Sequence, residues 1–220
     1  NADIPRSYTA IAEWLACMLC VWEISPTKRR VVLQAVFLIW QTFFLVMTGS
    51  IHGLGWVLFM MVAVFGMWLF IYRSTDIKKL DAMYYCIRSF VVAEFAASFE
   101  WQLDSYFCIM GMPDRVTCHL VLMTLMYTIL FIIIWRIYKP YHMKGGAVNA
   151  GWKDVLSCFV IALAIFIVSN LSFVSPRTPF SGQYRDQIFI IRTLVDVGGV
   201  AILFAYHVQR AEYKIRQELA

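Results

Sequence analysis

Nine polar side chains interrupt otherwise apolar stretches of this chain: Glu13, Arg88, Glu94, Glu100, Asp104, His119, Asn170, Arg192 and Asp196. Ionisable groups inside apolar segments are costly, and they turn toward a bundle interior or a water-filled cavity. Glu100 and Asp104 are four residues apart, as are Arg192 and Asp196, so each pair shares one helix face. Trp101 and Tyr106 add aromatic surface beside the first pair. An arginine placed among carboxylates makes a desolvated ion-pair hub. A small polar or peptidic ligand entering such a nest would replace one of its members. Glu100, Trp101, Asp104, Asn170, Arg192 and Asp196 are therefore the candidate ligand-binding residues. The same groups also suit a packing role, because polar contacts join helices in membranes. The sequence leaves both readings open.

Other chemistries are weaker. Glu100 and Asp104 lie on one helix with Arg192 expected nearby, which is a poor arrangement for a hydrolase that needs a nucleophile and base at matching depth. The four histidines, His52, His119, His142 and His207, are dispersed and form no metal-binding spacing, so no metal and no catalytic residue is expected. Cys17, Cys20, Cys86 and Cys158 lie in apolar stretches, where cysteine acts as a small hydrophobe. Cys108 and Cys118 flank a short loop and would be able to pair in an oxidising exterior.

The elements that carry these residues follow from hydropathy. The 220 residues are 61% hydrophobic and 15% charged, with mean hydropathy +0.68, far from the usage of soluble domains. About seven apolar segments have spanning length: residues 8–24, 31–48, 54–72, 82–107, 116–138, 155–174 and 187–208. Backbone polar groups in a bilayer must be satisfied internally. Runs such as 121–135 are continuously apolar, which excludes a barrel. The expected fold is an all-α polytopic bundle. Residues 1–208 form its membrane domain, and residues 209–220 begin a cytoplasmic helix.

Orientation follows from the basic residues. Thirteen of the nineteen Lys and Arg residues lie in alternate connections, while Arg6, Arg115, Arg177 and Arg185 occupy the opposite set. The Lys/Arg-rich side is cytoplasmic, which places the amino terminus outside and the carboxyl terminus inside a bacterial cell membrane. The net charge of +5 belongs beside anionic lipid, and no nucleic-acid partner is implied. Glu100, Asp104, Asn170, Arg192, Glu13 and His119 then gather toward the outer face. Arg88 alone falls on the inner side, where a long stem can snorkel to the interface.

Past Gly198 and Gly199 no glycine or proline occurs up to Ala220, so the last span is expected to continue as helix. Val208, Ala211, Ile215 and Leu219 keep a thin apolar stripe on this charged extension. Such a stripe suits a coiled-coil seam, or equally a helical tail at the membrane interface. Gly198 and Gly199 mark a place for close helix packing or bending. These six residues are the candidate relay. Asn1-Ala2 resembles the remnant of a removed tag, and the chain ends within a charged helical pattern.

The stretches Ala93-Glu-Phe-Ala-Ala-Ser-Phe-Glu-Trp-Gln-Leu103, Ile4-Pro-Arg-Ser-Tyr-Thr-Ala-Ile-Ala-Glu-Trp-Leu15 and Arg192-Thr-Leu-Val-Asp-Val-Gly-Gly-Val-Ala-Ile-Leu-Phe-Ala-Tyr-His207 resemble the membrane region of clostridial sensor histidine kinases with a GHKL-type ATPase domain. The likeness covers essentially the whole chain and shares its plan with cyclic-peptide quorum-sensing receptors. It implies an extracellular ligand such as a peptide, a homodimer, and a cytoplasmic response regulator as partner. ATP and Mg would serve only the kinase portion, which this chain lacks, and no cofactor is expected here. His207 lies at a membrane boundary and is not assigned a phosphoacceptor role. A retinal protein is excluded because no lysine lies within a span. A secondary transporter for a small polar solute is the alternative, although no internal repeat is evident and all six prolines fall outside the spans.

Overall fold

The computed structural model describes residues 4–25, 31–51, 54–113, 115–141, 148–169 and 185–219. Among them every α or 3-10 element is helical: α1 (Arg6–Ile24), α2 (Val31–Thr48), α3 (Leu54–Ser74), α4 (Lys79–Ile109), α5 (Val116–Tyr138), a 3-10 turn (Lys139–Tyr141), α6 (Trp152–Ser169) and α7 (Arg185–Leu219). The helices match the seven predicted segments in order and extend several of them. Four are long and apolar enough to cross a membrane, with spans at Val31–Thr48, Val57–Ser74, Val116–Tyr141 and Ile191–Tyr213.

The polar residues decide which helix takes the centre. α4 carries Asp81, Arg88, Glu94, Glu100 and Asp104, all buried. A helix with that many ionisable groups is stable in apolar surroundings only when other helices enclose it. α4 is indeed packed against α1, α3, α5, α6 and α7. The outer helices have the opposite character. Val32, Ile39 and Phe43 of α2, Leu58 and Phe65 of α3, Val121 and Ile132 of α5, and Phe159 and Val160 of α6 are exposed. An exposed apolar surface of this extent calls for a lipid solvent. The molecule is a membrane bundle with a polar helix at its axis.

Small residues set the closest contacts. Ala12, Ala16 and Cys20 of α1, and Ala93, Ala96 and Ala97 of α4, are all buried, and Ser89 Oγ donates to the Ala16 carbonyl at 3.4 Å. Such side chains let two backbones approach where no hydrophobic force separates helix from lipid. Elsewhere flat rings fill the gaps. Phe37 and Phe70 stack with centroids 4.4 Å apart, and Trp40 covers Gly66, where an added Cβ would lie 2.1 Å from the indole.

α7 is one helix of 35 residues, about 52 Å long at the usual rise. Gly198 and Gly199 do not interrupt it. Gly199 provides close packing, since a Cβ there would meet Ile165 of α6 at 2.4 Å, whereas Gly198 has nothing within 4 Å. Arg192, Asp196, Gly199, Leu203, His207 and Ala211 are buried at three- and four-residue intervals, a single helical face. Ala211, predicted as part of a free stripe, therefore belongs to the face α7 turns toward its own bundle. Val208 is half-buried, and the side chains of Ile215 and Leu219 lie outside the described residues.

Candidate functional site: a polar core along the central helix

α4 presents its charged residues to different neighbours as it turns. Arg88 donates to Glu23 of α1 in a buried ion pair. Its guanidinium lies 4.3 Å from the ring centre of Tyr138 and 4.9 Å from that of Tyr85. The expected snorkelling of Arg88 is thus wrong. A carboxylate and two aromatic faces desolvate and hold the planar cation inside the bundle, a geometry that suits arginine.

Glu94, six residues further on, accepts from Arg192 Nη2 of α7 at 3.3 Å. Glu94 is also within electrostatic reach of Glu13, which accepts a buried hydrogen bond from Gln41 of α2. Asp196 is fully buried and lines a small gap with Glu94, Phe90, Val91, Ala162, Ile165 and Phe166. The sequence placed Arg192 among Glu100, Asp104 and Asp196. In the structure Arg192 donates to Glu94, and from there α7 runs along α4 toward Tyr84, which pairs with His207, away from the acid-rich end.

The last turns of α4 meet α5. Asp104 Oδ1 pairs with His119 Nδ1 at 2.6 Å. Cys108, one turn beyond Asp104, brings its sulfur within 4.8 Å of the same two groups. Glu100, one turn before Asp104, is fully buried. Among the described residues neither of its carboxylate oxygens has a hydrogen-bond partner. Tyr8, Tyr127, Asp104 and His119 are within electrostatic reach of it. Trp101 is half-buried and packs with Ile4, Ala97 and their neighbours. Asn170 lies outside the described residues.

The candidate ligand-binding residues that are described thus fall into two adjoining groups. Glu100, Trp101 and Asp104 stand near α5, while Arg192 and Asp196 stand with Glu94 farther along α4. Among the described residues, five buried carboxylates (Glu13, Glu94, Glu100, Asp104 and Asp196) share this half of the bundle with one buried guanidinium, that of Arg192. Arg6, Arg115 and His119 stand in the same half and are less buried.

The opposite end of the bundle is built differently. Asp154, at the start of α6, pairs with Arg210 of α7 and accepts from the Tyr206 hydroxyl at 2.7 Å. Tyr84 Oη lies 3.1 Å from His207 Nδ1. Asp81 accepts from the Ala150 amide at 2.8 Å, and Lys78 reaches Asn149 at 3.3 Å. Among the described residues, Lys78 and Asp81 thus meet the segment before α6, and Asp154 holds Tyr206 and Arg210 in a polar clamp on α7. Sequence reading missed Glu23, Gln41, Asp154 and Tyr206 as partners. A lone acid or amide within an apolar helix, such as Glu23 or Gln41, was the available signal.

No family model, curated protein or solved structure matches the chain.

Proposed function

We propose that this chain is the membrane sensor module of a sensor histidine kinase, a seven-span bundle with its amino terminus outside and its carboxyl terminus in the cytoplasm of a bacterial cell. Burial supports the seven spans. α1, α4 and α6 pack between or beside the four strongly apolar helices, so their polar residues can stay at membrane depth. The basic excess at the Asp154 end supports the orientation.

The observation that carries the reading is the continuity of α7. One uninterrupted helix joins the buried Glu94–Arg192 pair to the clamp at Asp154 and then to a charged extension. A ligand that binds one arrangement of α4 and α7 better than another shifts the population of that arrangement. A rigid α7 transmits the shift as rotation or translation, and in a homodimer the paired helices change register. The buried carboxylates of Glu100 and Asp104 favour a ligand with a cationic group, a peptide amine or guanidinium among them. ATP, Mg and the response regulator would engage a kinase portion beyond Ala220.

The test uses the full-length protein in membranes, with autophosphorylation as the readout. Arg192→Gln and Asp104→Asn should each abolish the response to the culture medium that stimulates the parent protein, with membrane abundance unchanged. A normal response in both variants overturns the pocket. Residues after Ala220 that lack a histidine-bearing helical hairpin and a nucleotide-binding fold overturn the kinase assignment. The alternative is a transporter for a small polar solute, and the purified chain would then move solute across liposome membranes.

A further inference from the structure

We infer that Asp104, Cys108 and His119 form a binding site for a zinc-class divalent transition metal ion, tying the last turn of α4 to the first turn of α5. Sequence spacing conceals this site. Its residues come from two helices, and only the fold brings the Asp104 oxygen, the Cys108 sulfur and the His119 Nδ1 within 4.8 Å of one another. Asp104 and Cys108 are four residues apart on α4 and so share one face. His119 stands opposite, already 2.6 Å from the Asp104 oxygen.

The donor set selects the ion. One thiolate, one imidazole and one carboxylate match zinc and its neighbours, whereas magnesium and calcium require oxygen donors. Three protein ligands leave a fourth tetrahedral position for water or another group. Ligand atoms on a tetrahedral zinc stand roughly 3.3–3.7 Å apart given bonds of ~2.0–2.3 Å, so shifts of about an ångström suffice. Cys108 is exposed and His119 partly so, which gives the ion a route in from the surface. Asp104 is buried and anchors the inner side.

Glu100 supplies an independent reason to expect a cation. Its carboxylate is buried without a hydrogen-bond partner among the described residues, one turn from Asp104. An isolated buried carboxylate is expensive unless a positive charge stands nearby. A divalent ion at Asp104 would supply that charge to both acids. Cys108 and Cys118 form no disulfide, so the Cys108 sulfur is not consumed by that bond. Binding would release the thiol proton to solvent, and affinity would rise with pH as the thiolate becomes available.

The inference needs neither the kinase reading nor the membrane orientation, because it concerns binding by the purified chain alone. The experiment is titration of the reduced, chelator-treated chain in detergent with Co2+, followed by displacement with Zn2+. One Co2+ per chain should bind, with a thiolate-to-cobalt charge-transfer band and the intense visible bands of a tetrahedral ion. Zn2+ should erase both, and Mg2+ and Ca2+ should not. Cys108→Ser should abolish the charge-transfer band, while Cys118→Ser keeps it. His119→Gln should weaken zinc by at least the ~10–100-fold that loss of an outer-shell partner costs. Monodisperse elution and unchanged helical circular dichroism identify variants that still fold. If Cys108→Ser is misfolded, alkylation of Cys108 in the folded chain, blocked by bound Zn2+, gives the same answer. Absence of the thiolate band in the parent chain, its survival in folded Cys108→Ser, or alkylation of Cys108 undiminished by saturating Zn2+ overturns the site.

Discussion

Arg88 shows how strongly one side chain can depend on its surroundings. It is buried against Glu23 and between the rings of Tyr85 and Tyr138. Arg88→Ala would leave Glu23 buried without its cation, and breaking a buried pair in this way costs about 3–5 kcal/mol. Arg88→Lys should recover only part of that loss, because a compact ammonium cannot stack on two rings while holding a carboxylate. Replacing both partners, with Arg88→Met and Glu23→Gln, should be milder than Arg88→Ala alone. Thermal unfolding in detergent measures all three, and a midpoint for Arg88→Lys equal to that of the parent would remove the stacking argument. The sequence revealed that Arg88 was unusual and misjudged where it goes. Depth along a helix can be counted from residue numbers. The direction a side chain faces depends on neighbours that hydropathy does not name. For the same reason Glu94 was picked out as a polar residue in an apolar stretch yet not recognised as the partner of Arg192.

At the level of the element, glycines separate helix propensity from helix packing. Gly198 and Gly199 are adjacent in α7, yet only Gly199 has a neighbour in the way of a Cβ. Gly198→Ala should stabilise the bundle by up to about 1 kcal/mol through helix propensity. Gly199→Val should destabilise it, since Ile165 must move and overpacking typically costs about 1–3 kcal/mol. Opposite shifts in thermal midpoint are expected, and a Gly199→Val variant no less stable than the parent would show that α6 and α7 do not meet there. Element boundaries were largely legible because apolar runs end where charge begins. α7 extends past its apolar run for the reason the sequence offered, the lack of any glycine or proline after Gly199. The role of α4 was less legible. Its charge content looked like a functional pocket, whereas in the fold that charge also accounts for its central position. Both roles follow from one fact, that ionisable groups at membrane depth must be enclosed.

For the whole molecule, the question is how one end of the bundle affects the other. Arg192 and Arg210 are 18 residues apart, five helical turns and about 27 Å, so they project from the same face of α7. Arg192 pairs with α4 and Arg210 with α6. α7 is thus held at two levels by partners on different helices, and a rigid rod cannot shift at one level without loading the other. Asp154 is the weaker anchor, because its pair with Arg210 is about a quarter exposed and exposed ion pairs contribute only ~0–1 kcal/mol. Asp154 also receives the Tyr206 hydroxyl, so one substitution releases two α7 residues at once. Asp154→Ala should therefore leave the thermal midpoint within a few degrees of the parent while loosening the end of α7. A spin label at position 213, on the exposed side of the helix, should become more mobile, and one at position 202 should not. If neither label changes, the clamp does not restrain α7. If both change equally, the helix moves as a body and the upper anchor on Glu94 is the weaker one. Only the first pattern, motion confined beyond Tyr206, leaves α7 poised as a lever with its release point at the basic end.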